Sequence, residues 1–283
     1  MRHFLAACTM TLAACTGSPQ PDSPPNEPFS VLTCNVRYGN AKDGPDSWPL
    51  RRDQLAARIV DAAPAVLGVQ EALDFQLTFL AEHLPNHARI GQGRDGGTKG
   101  EHAALFVDRR RFEIVRSGDF WLSETPDVRG SVGWDAALTR ICTWAELREV
   151  GTGRALWVWN AHFDNRGATA RLRSAELIAQ RIAAHSGPHV VLGDFNTGER
   201  SEPLAALRAA GLRDTFRDVH PDATEVGTFH AFRGGTDGEK IDFVMAGPGL
   251  TTKAAAILSE PGPSGRWPTD HHMVVAAVVF GGG

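Results

Sequence analysis

Carboxylates, amides and imidazoles recur in this chain at the ends of short apolar runs. Asn35 interrupts VLTCNVRYG, Glu71 closes on AVLGVQEA, and His162 and Asp164 end LWVWNAHFDN. Asp194 and Asn196 end VVLGDFN, Asp242 sits in KIDFVMAG, and Asp270 and His271 form TDHH ahead of the last apolar run. One Asp or Asn after a strand is an ordinary turn former, and one His is most often structural. The set as a whole is poorly explained by independent turns, because ligands of α/β sheets bind where buried strands emerge. Hard oxygen donors of this sort suit Mg²⁺ or Mn²⁺.

The spacing supports part of this reading. Residues two apart on an extended strand point the same way, so His162 and Asp164 can face one cleft, as can Asp194 and Asn196. Phe163 and Phe195 then face the packed side. Asp270 and His271 are adjacent, so only a loop can aim both inward. Glu101, Trp134, Arg140, Asn165, Arg166, Arg171 and His230 lie close to these motifs. Of these, Arg140, Asn165 and His230, together with Asp164, are the candidates for substrate contact, Arg140 as a phosphate ligand. His272 points away from His271 if the chain is extended there, and is left out.

These residues need strands to carry them. Strand-like runs occur at Phe29 to Val36, Ala65 to Gln70, His102 to Asp108, Ile141 to Arg148, Ala155 to Ala161, Val190 to Leu192, Ile241 to Met245 and Met273 to Phe280. Helical patterns occupy Leu50 to Ala62, Asp74 to Leu84, Thr169 to Ala184, and Glu202 to Ala210, the last with Ser201 as its N-cap and Gly211 as its stop. Some strands alternate with helices, and others follow one another directly, as from Ala103 through the Trp121 region to Trp159. That mixture predicts an α/β body with mixed sheets. GQGRDG at Gly91 to Gly96 matches a dinucleotide fingerprint in form only, since it runs into a strand instead of opening a helix.

The 283 residues carry a net charge of −4, which argues against a broad basic face for nucleic acid. Residues 1–14 read as a signal peptide: Arg2 precedes an apolar stretch, Phe4 to Ala14, too short to span a bilayer. It ends in Leu12-Ala13-Ala14-Cys15, which resembles the lipobox of bacterial lipoproteins, and Cys15 is the expected lipidation site in preference to a simply cleaved signal. Residues 15–28, rich in proline, read as a flexible tether. The folded domain is then 29–283, exported and held to the membrane through the lipid alone, or otherwise secreted. Cys34 and Cys142 each sit in a strand-like run and are expected to be buried free thiols.

TCNVRYGN, GVQEA, NAHFDN, LGDFNTG, KIDFVMAG and TDHH, in this order from about Phe29 onward, resemble the motifs of the endonuclease/exonuclease/phosphatase superfamily. RYGNAKDGPDSWPLRRDQL and FWLSETPDVRGSVGWDAALTRICTW are further similar to an uncharacterised bacterial branch of it. The resemblance implies a four-layer sandwich, two mixed β-sheets face to face with helices outside, and an active site at one end. It implies Glu71 as the principal metal ligand with Asn35 and Asp270 close to the ion, and Asp194 orienting or deprotonating the attacking water. Asn196 would hold that water or a phosphate oxygen, His271, held by Asp242, would stabilise the phosphoryl oxygens, and His162 would face it across the phosphate. In-line attack on a phosphoester builds charge on its oxygens, which a divalent cation and imidazolium groups offset. The expected activity is metal-dependent hydrolysis of a phosphate mono- or diester. The alternatives are a secreted metal-dependent nuclease, nucleic acid being the less favoured substrate, and a catalytically silent lipid-anchored binding protein.

Overall fold

The computed structural model describes residues 26–281, so the signal segment, Cys15 and most of the tether lie outside the described residues. Two six-stranded sheets dominate it. The first has the order β11-β12-β1-β2-β4-β3, from Leu250–Leu258, Met273–Phe280, Phe29–Asn35, Val66–Gln70, Leu105–Asp108 and His87–Ile90. The second has the order β5-β6-β7-β8-β10-β9, from Phe112–Trp121, Ile141–Glu149, Ala155–His162, His189–Asp194, Asp242–Ala246 and Arg213–Asp214. Both are mixed. β1 and β2 are parallel, as are β7 and β8, and the remaining pairs are antiparallel.

The layers follow from which faces are apolar. Val31, Val66, Leu105 and Val107 meet Val158, Val190, Leu192 and Val244 in the core between the sheets. The outer face of the first sheet packs Leu32, Leu67 and Phe106 against Leu55 and Ile59 of α1 (Trp48–Ala62) and Leu77 and Leu80 of α2 (Asp74–His83). The outer face of the second packs Trp159, Val191 and Phe243 against Ile178 of α3 (Ala168–Ala183) and Leu204 and Leu207 of α4 (Glu202–Ala209). The result is the helix, sheet, sheet, helix sandwich. Among the described residues, Cys34 and Cys142 are buried and form no disulfide.

Several local expectations are corrected. The strand expected from His102 begins only at Leu105, and His102 makes isolated bridges to Ala72 and Gly93. Ser201 occupies the N-cap of α4, yet its hydroxyl is buried without a partner instead of capping. Gly211, at φ 87°, does end that helix, in a conformation that favours glycine. A short helix, α5 (Thr215–Val219), follows β9 and was not anticipated; Asp214 caps it by accepting from the Phe216 N–H.

A buried polar staple ties the two sheets below one end of the sandwich. Gln70 donates to Asn160 Oδ1 at 2.7 Å and to Thr33 Oγ1 at 3.1 Å, while Asn160 Nδ2 donates to the carbonyls of Val69 and Ala104. Gly68 opposite leaves room for it, since a Cβ there would lie 2.8 Å from Asn160. The staple fixes the relative height of the two sheets, and Glu71 follows Gln70 directly, with Asn35 two residues beyond Thr33.

Candidate active site

Register brings the polar residues together. Asn35 pairs with Gln70, so Glu71 follows immediately where β2 leaves the sheet. In the second sheet, Asp194 pairs with His162 on one side and Asp242 on the other. Each sheet thus delivers its half to the same end. Asp270 and His271 arrive from the loop before β12, which is held by Thr269 Oγ1 donating to the Asn35 carbonyl at 2.7 Å. Arg51, buried on α1, secures that loop by donating to the Pro268 carbonyl at 2.9 Å.

These elements enclose a cavity of about 490 Å³. Glu71, His162, Asp194, Asn196, Asp270 and His271 line it, with Arg140 and Asn165. Asn35 and Asp242 stand behind this lining. Asn35 Nδ2 donates to Glu71 Oε1 at 3.1 Å and to Asp194 Oδ2 at 3.0 Å, and its Oδ1 accepts from the Arg37 N–H. The amide thus turns its hydrogens, not its oxygen, toward the carboxylates and locks the two halves together. Asp242 Oδ2 lies 2.9 Å from His271 Nδ1.

The electrostatics separate the three ionisable groups on the floor. Burial pushes the Asp194 carboxyl up, to about 7, and the Asp242 charge adds to the effect while His271 opposes it. Burial opposes a charge on His271, yet Asp242, Asp194 and Asp270 outweigh it and raise the imidazole to about 10. His162 goes the other way: burial, then Arg140, His271 and Arg94, lower it well below the ordinary value. Its surroundings thus disfavour the imidazolium form. His162 Nε2 is 3.5 Å and His271 Nε2 3.9 Å from Asp194 Oδ2.

Backbone strain gathers at the same place. Arg37, Glu71 and Asn196 have φ of 59°, 61° and 49°, a region costly for residues other than glycine and least so for Asn. The strained turn at Glu71 is held by the Tyr38 N–H, which donates to Glu71 Oε2 at 2.8 Å. The turn at Asn196 replaces the extended continuation expected there. β8 stops at Asp194, the Asn196 N–H donates to Asp194 Oδ1, and Asn196 Nδ2 donates to the Phe163 carbonyl. Asn196 reaches the cavity through a turn, not through strand alternation. Phe163 and Phe195 do face the packed side, stacked at 4.7 Å between centroids.

Two candidate contacts do not line the cavity. β7 ends at His162, so alternation stops before Asp164, whose oxygens accept from the N–H groups of Leu138, Arg166 and Gly167 and from Arg140. Asp164→Ala is expected to lower stability by about 3 kcal/mol, because it removes the ion-pair partner of buried Arg140 and the acceptor of three backbone N–H groups. A shifted urea midpoint with an unaltered KM checks this; an altered KM at unchanged stability would restore Asp164 as a substrate contact. His230 stacks on His272 at 4.0 Å, behind the cavity wall. Conversely, Arg37, Tyr38, Leu138, Phe229 and Ile241 line the cavity without having been singled out. Arg37 and Tyr38 follow Asn35 directly, and that adjacency was the available signal.

The donor chemistry fits a divalent cation. Among the described residues, Asp194, Asp242 and His271 bring oxygen and nitrogen atoms within 4.8 Å of one another, but a protonated His271 has no lone pair to give a cation and Asp242 is its counter-ion. Glu71 and Asp270 add two carboxylates facing the cavity. Burial raises the Asp270 carboxyl, His271 and Arg37 oppose the shift, and Glu71 adds to it.

A sandwich of two mixed sheets thus gathers carboxylates, amides and imidazoles at one end. Residues 32–271 match the Endonuclease/Exonuclease/phosphatase family, and the chain belongs to it. A family protein from Bacteroides thetaiotaomicron is 32% identical with a TM-score of 0.82, covering 90% of this chain and 95% of that one. A mannosyl-6-phosphatase from Bacteroides thetaiotaomicron VPI-5482 is 33% identical with a TM-score of 0.81, over 89% of this chain and all (100%) of that one. An uncharacterised protein, L388, of Acanthamoeba polyphaga mimivirus is 28% identical over 165 residues, 54% of this chain; the chain spans 60% of the length of that curated relative.

Proposed function

We propose that the protein is a divalent-metal-dependent phosphoesterase that acts outside the cytoplasm, anchored by a lipid on Cys15, and cleaves a phosphate mono- or diester by attack of an activated water. The observation that carries the chemistry of this reading is the buried Asp194 carboxylate on the cavity floor, with His162 Nε2 at 3.5 Å and His271 Nε2 at 3.9 Å from its Oδ2. The similarity to a mannosyl-6-phosphatase supports the same class of reaction.

Glu71 and Asp270 would hold the ion, Mg²⁺ or Mn²⁺, because their carboxylates face the cavity, whereas the Asp242 charge is already met by the His271 imidazolium. The ion supplies positive charge at the phosphoryl oxygens. Asp194 takes the proton of the attacking water, and Asn35, fixed by the Arg37 N–H, holds that carboxylate in place. Asn196 Oδ1 accepts no hydrogen bond from the described residues and would be available to orient the water. The His271 imidazolium offsets charge on the nonbridging oxygens, and neutral His162 donates a hydrogen bond from the opposite wall.

Hydrolysis of 4-nitrophenyl phosphate and bis(4-nitrophenyl) phosphate with Mg²⁺ or Mn²⁺ tests the reading. Excess EDTA is expected to reduce turnover by about 10³-fold, with recovery on adding back the ion. Undiminished turnover in EDTA would remove the metal, and absence of any hydrolysis would favour the silent binding protein.

A further inference from the structure

Glu101 is a carboxylate lining a cavity meant for an anion, beside Arg140 and His162. Its side chain is mostly buried, and Arg94 Nη1 donates to its Oε2 at 2.9 Å. Oε1 accepts no hydrogen bond from the described residues. The group is held firmly: the Arg94 N–H donates to the Glu101 carbonyl at 2.9 Å, and Trp121 Nε1 donates to the Arg94 carbonyl at 2.6 Å. A fixed acceptor thus faces the space beside the reaction centre.

The rest of that space has matching character. Asn165 Oδ1 is taken by Arg140, so its Nδ2 remains a donor for the cavity. Tyr38 and Phe229 also line the cavity and are exposed, offering flat apolar faces. A carboxylate repels the flanking phosphates of a polynucleotide, which require cations along their path. Acceptor, donor and aromatic faces together suit a ring bearing several hydroxyls.

Building on the phosphoesterase reading, we infer that Glu101 is the specificity-determining residue of this site, accepting hydrogen bonds from hydroxyl groups of a phosphorylated sugar or similar polyol phosphate. A site built to receive hydroxyls discriminates strongly against substrates lacking them, because its buried polar groups are then left unpaired. A carboxylate is repelled by the reacting phosphate, so Glu101 would act on the sugar half, and its removal should affect the binding of that half.

The test compares mannose 6-phosphate with 4-nitrophenyl phosphate in the full chain and in Glu101→Ala, Glu101→Gln and Arg94→Met. Glu101→Ala is expected to raise KM for the sugar ester about 10- to 100-fold, the worth of a hydrogen bond to a charged group, and to leave kcat/KM for the aryl ester within about twofold. Glu101→Gln keeps a carbonyl acceptor and should recover part of the loss. Arg94→Met removes the partner that steadies the loop; if it reproduces the full Glu101→Ala effect on the sugar ester, the role is structural and the inference fails. Equal losses on both esters also overturn it, as does a wild type that cleaves the aryl ester but prefers an oligonucleotide to the sugar ester, and either result leaves the phosphoesterase reading standing. A wild type that cleaves no ester overturns both.

Discussion

Glu71→Gln is expected to reduce kcat/KM on an aryl phosphate ester by about 10³-fold or more, at a cost in folding stability too small to explain the loss. The magnitude follows from weakening the charge that would hold the proposed ion, which would contribute several kcal/mol at the developing phosphoryl charge. The fold should tolerate the change because Glu71 is only half-buried and the amide retains a carbonyl for the Tyr38 N–H. Higher Mn²⁺ or Mg²⁺ should restore part of the rate, since the carbonyl remains a weaker ligand. Activity titrated against metal concentration, beside a thermal melt, checks both halves. An unchanged rate at limiting metal would take Glu71 out of the site.

Asp194→Asn is the second large effect, with an expected fall in kcat of about 10²- to 10⁴-fold, the usual contribution of a positioned general base. Its signature is the pH profile. A base works only when ionised, and burial with Asp242 pushes this carboxyl up to about 7. Wild-type kcat/KM should therefore fall as pH drops below that value, and rise through it as the proton is lost. The variant has no proton to lose there, so its residual rate should lack this limb. Removing a buried charge offsets the hydrogen bond lost from Asn35, and the melting temperature should move by only a few degrees. A variant that keeps the acid limb would assign that limb, and the base, to another group.

Both results depend on a site divided between two sheets. Asn35, Glu71, Asp270 and His271 come with the first sheet, and His162, Asp194 and Asp242 with the second. Asn35 bridges them directly, and the Gln70–Asn160 staple bridges them one layer below. The staple was not legible in the chain because Gln70 and Asn160 sit inside apolar runs with nothing to mark them as partners. Only stacking the sheets brings the two amides within 2.7 Å.

The polar groups that close a buried strand were legible, and so were the central strands themselves. Strands such as Val66–Gln70 and His189–Asp194 are buried on both faces, and that burial writes a continuous apolar run into the chain. The strands missed or only partly seen, β3, β5, β9 and β11, are the four edges of the two sheets. An edge strand is partly solvated and carries no strict pattern; Leu250–Leu258 is largely small and polar, and every residue of His87–Ile90 is half-exposed.

What the chain by itself determined is therefore the inventory: the family motifs, the central strands, and the chemical types that emerge from them. What only the tertiary structure decided is which of those groups face one another. Asp164 and Asp194 look alike in NAHFDN and LGDFN, yet one is consumed by loop N–H groups and Arg140 while the other floors the cavity. The difference lies in where each strand stops. β8 carries Asp194 as its last residue, paired across both neighbours, whereas β7 ends two residues before Asp164 and the chain has already turned. Strand termination is set by partners distant in sequence, so a local pattern does not contain it.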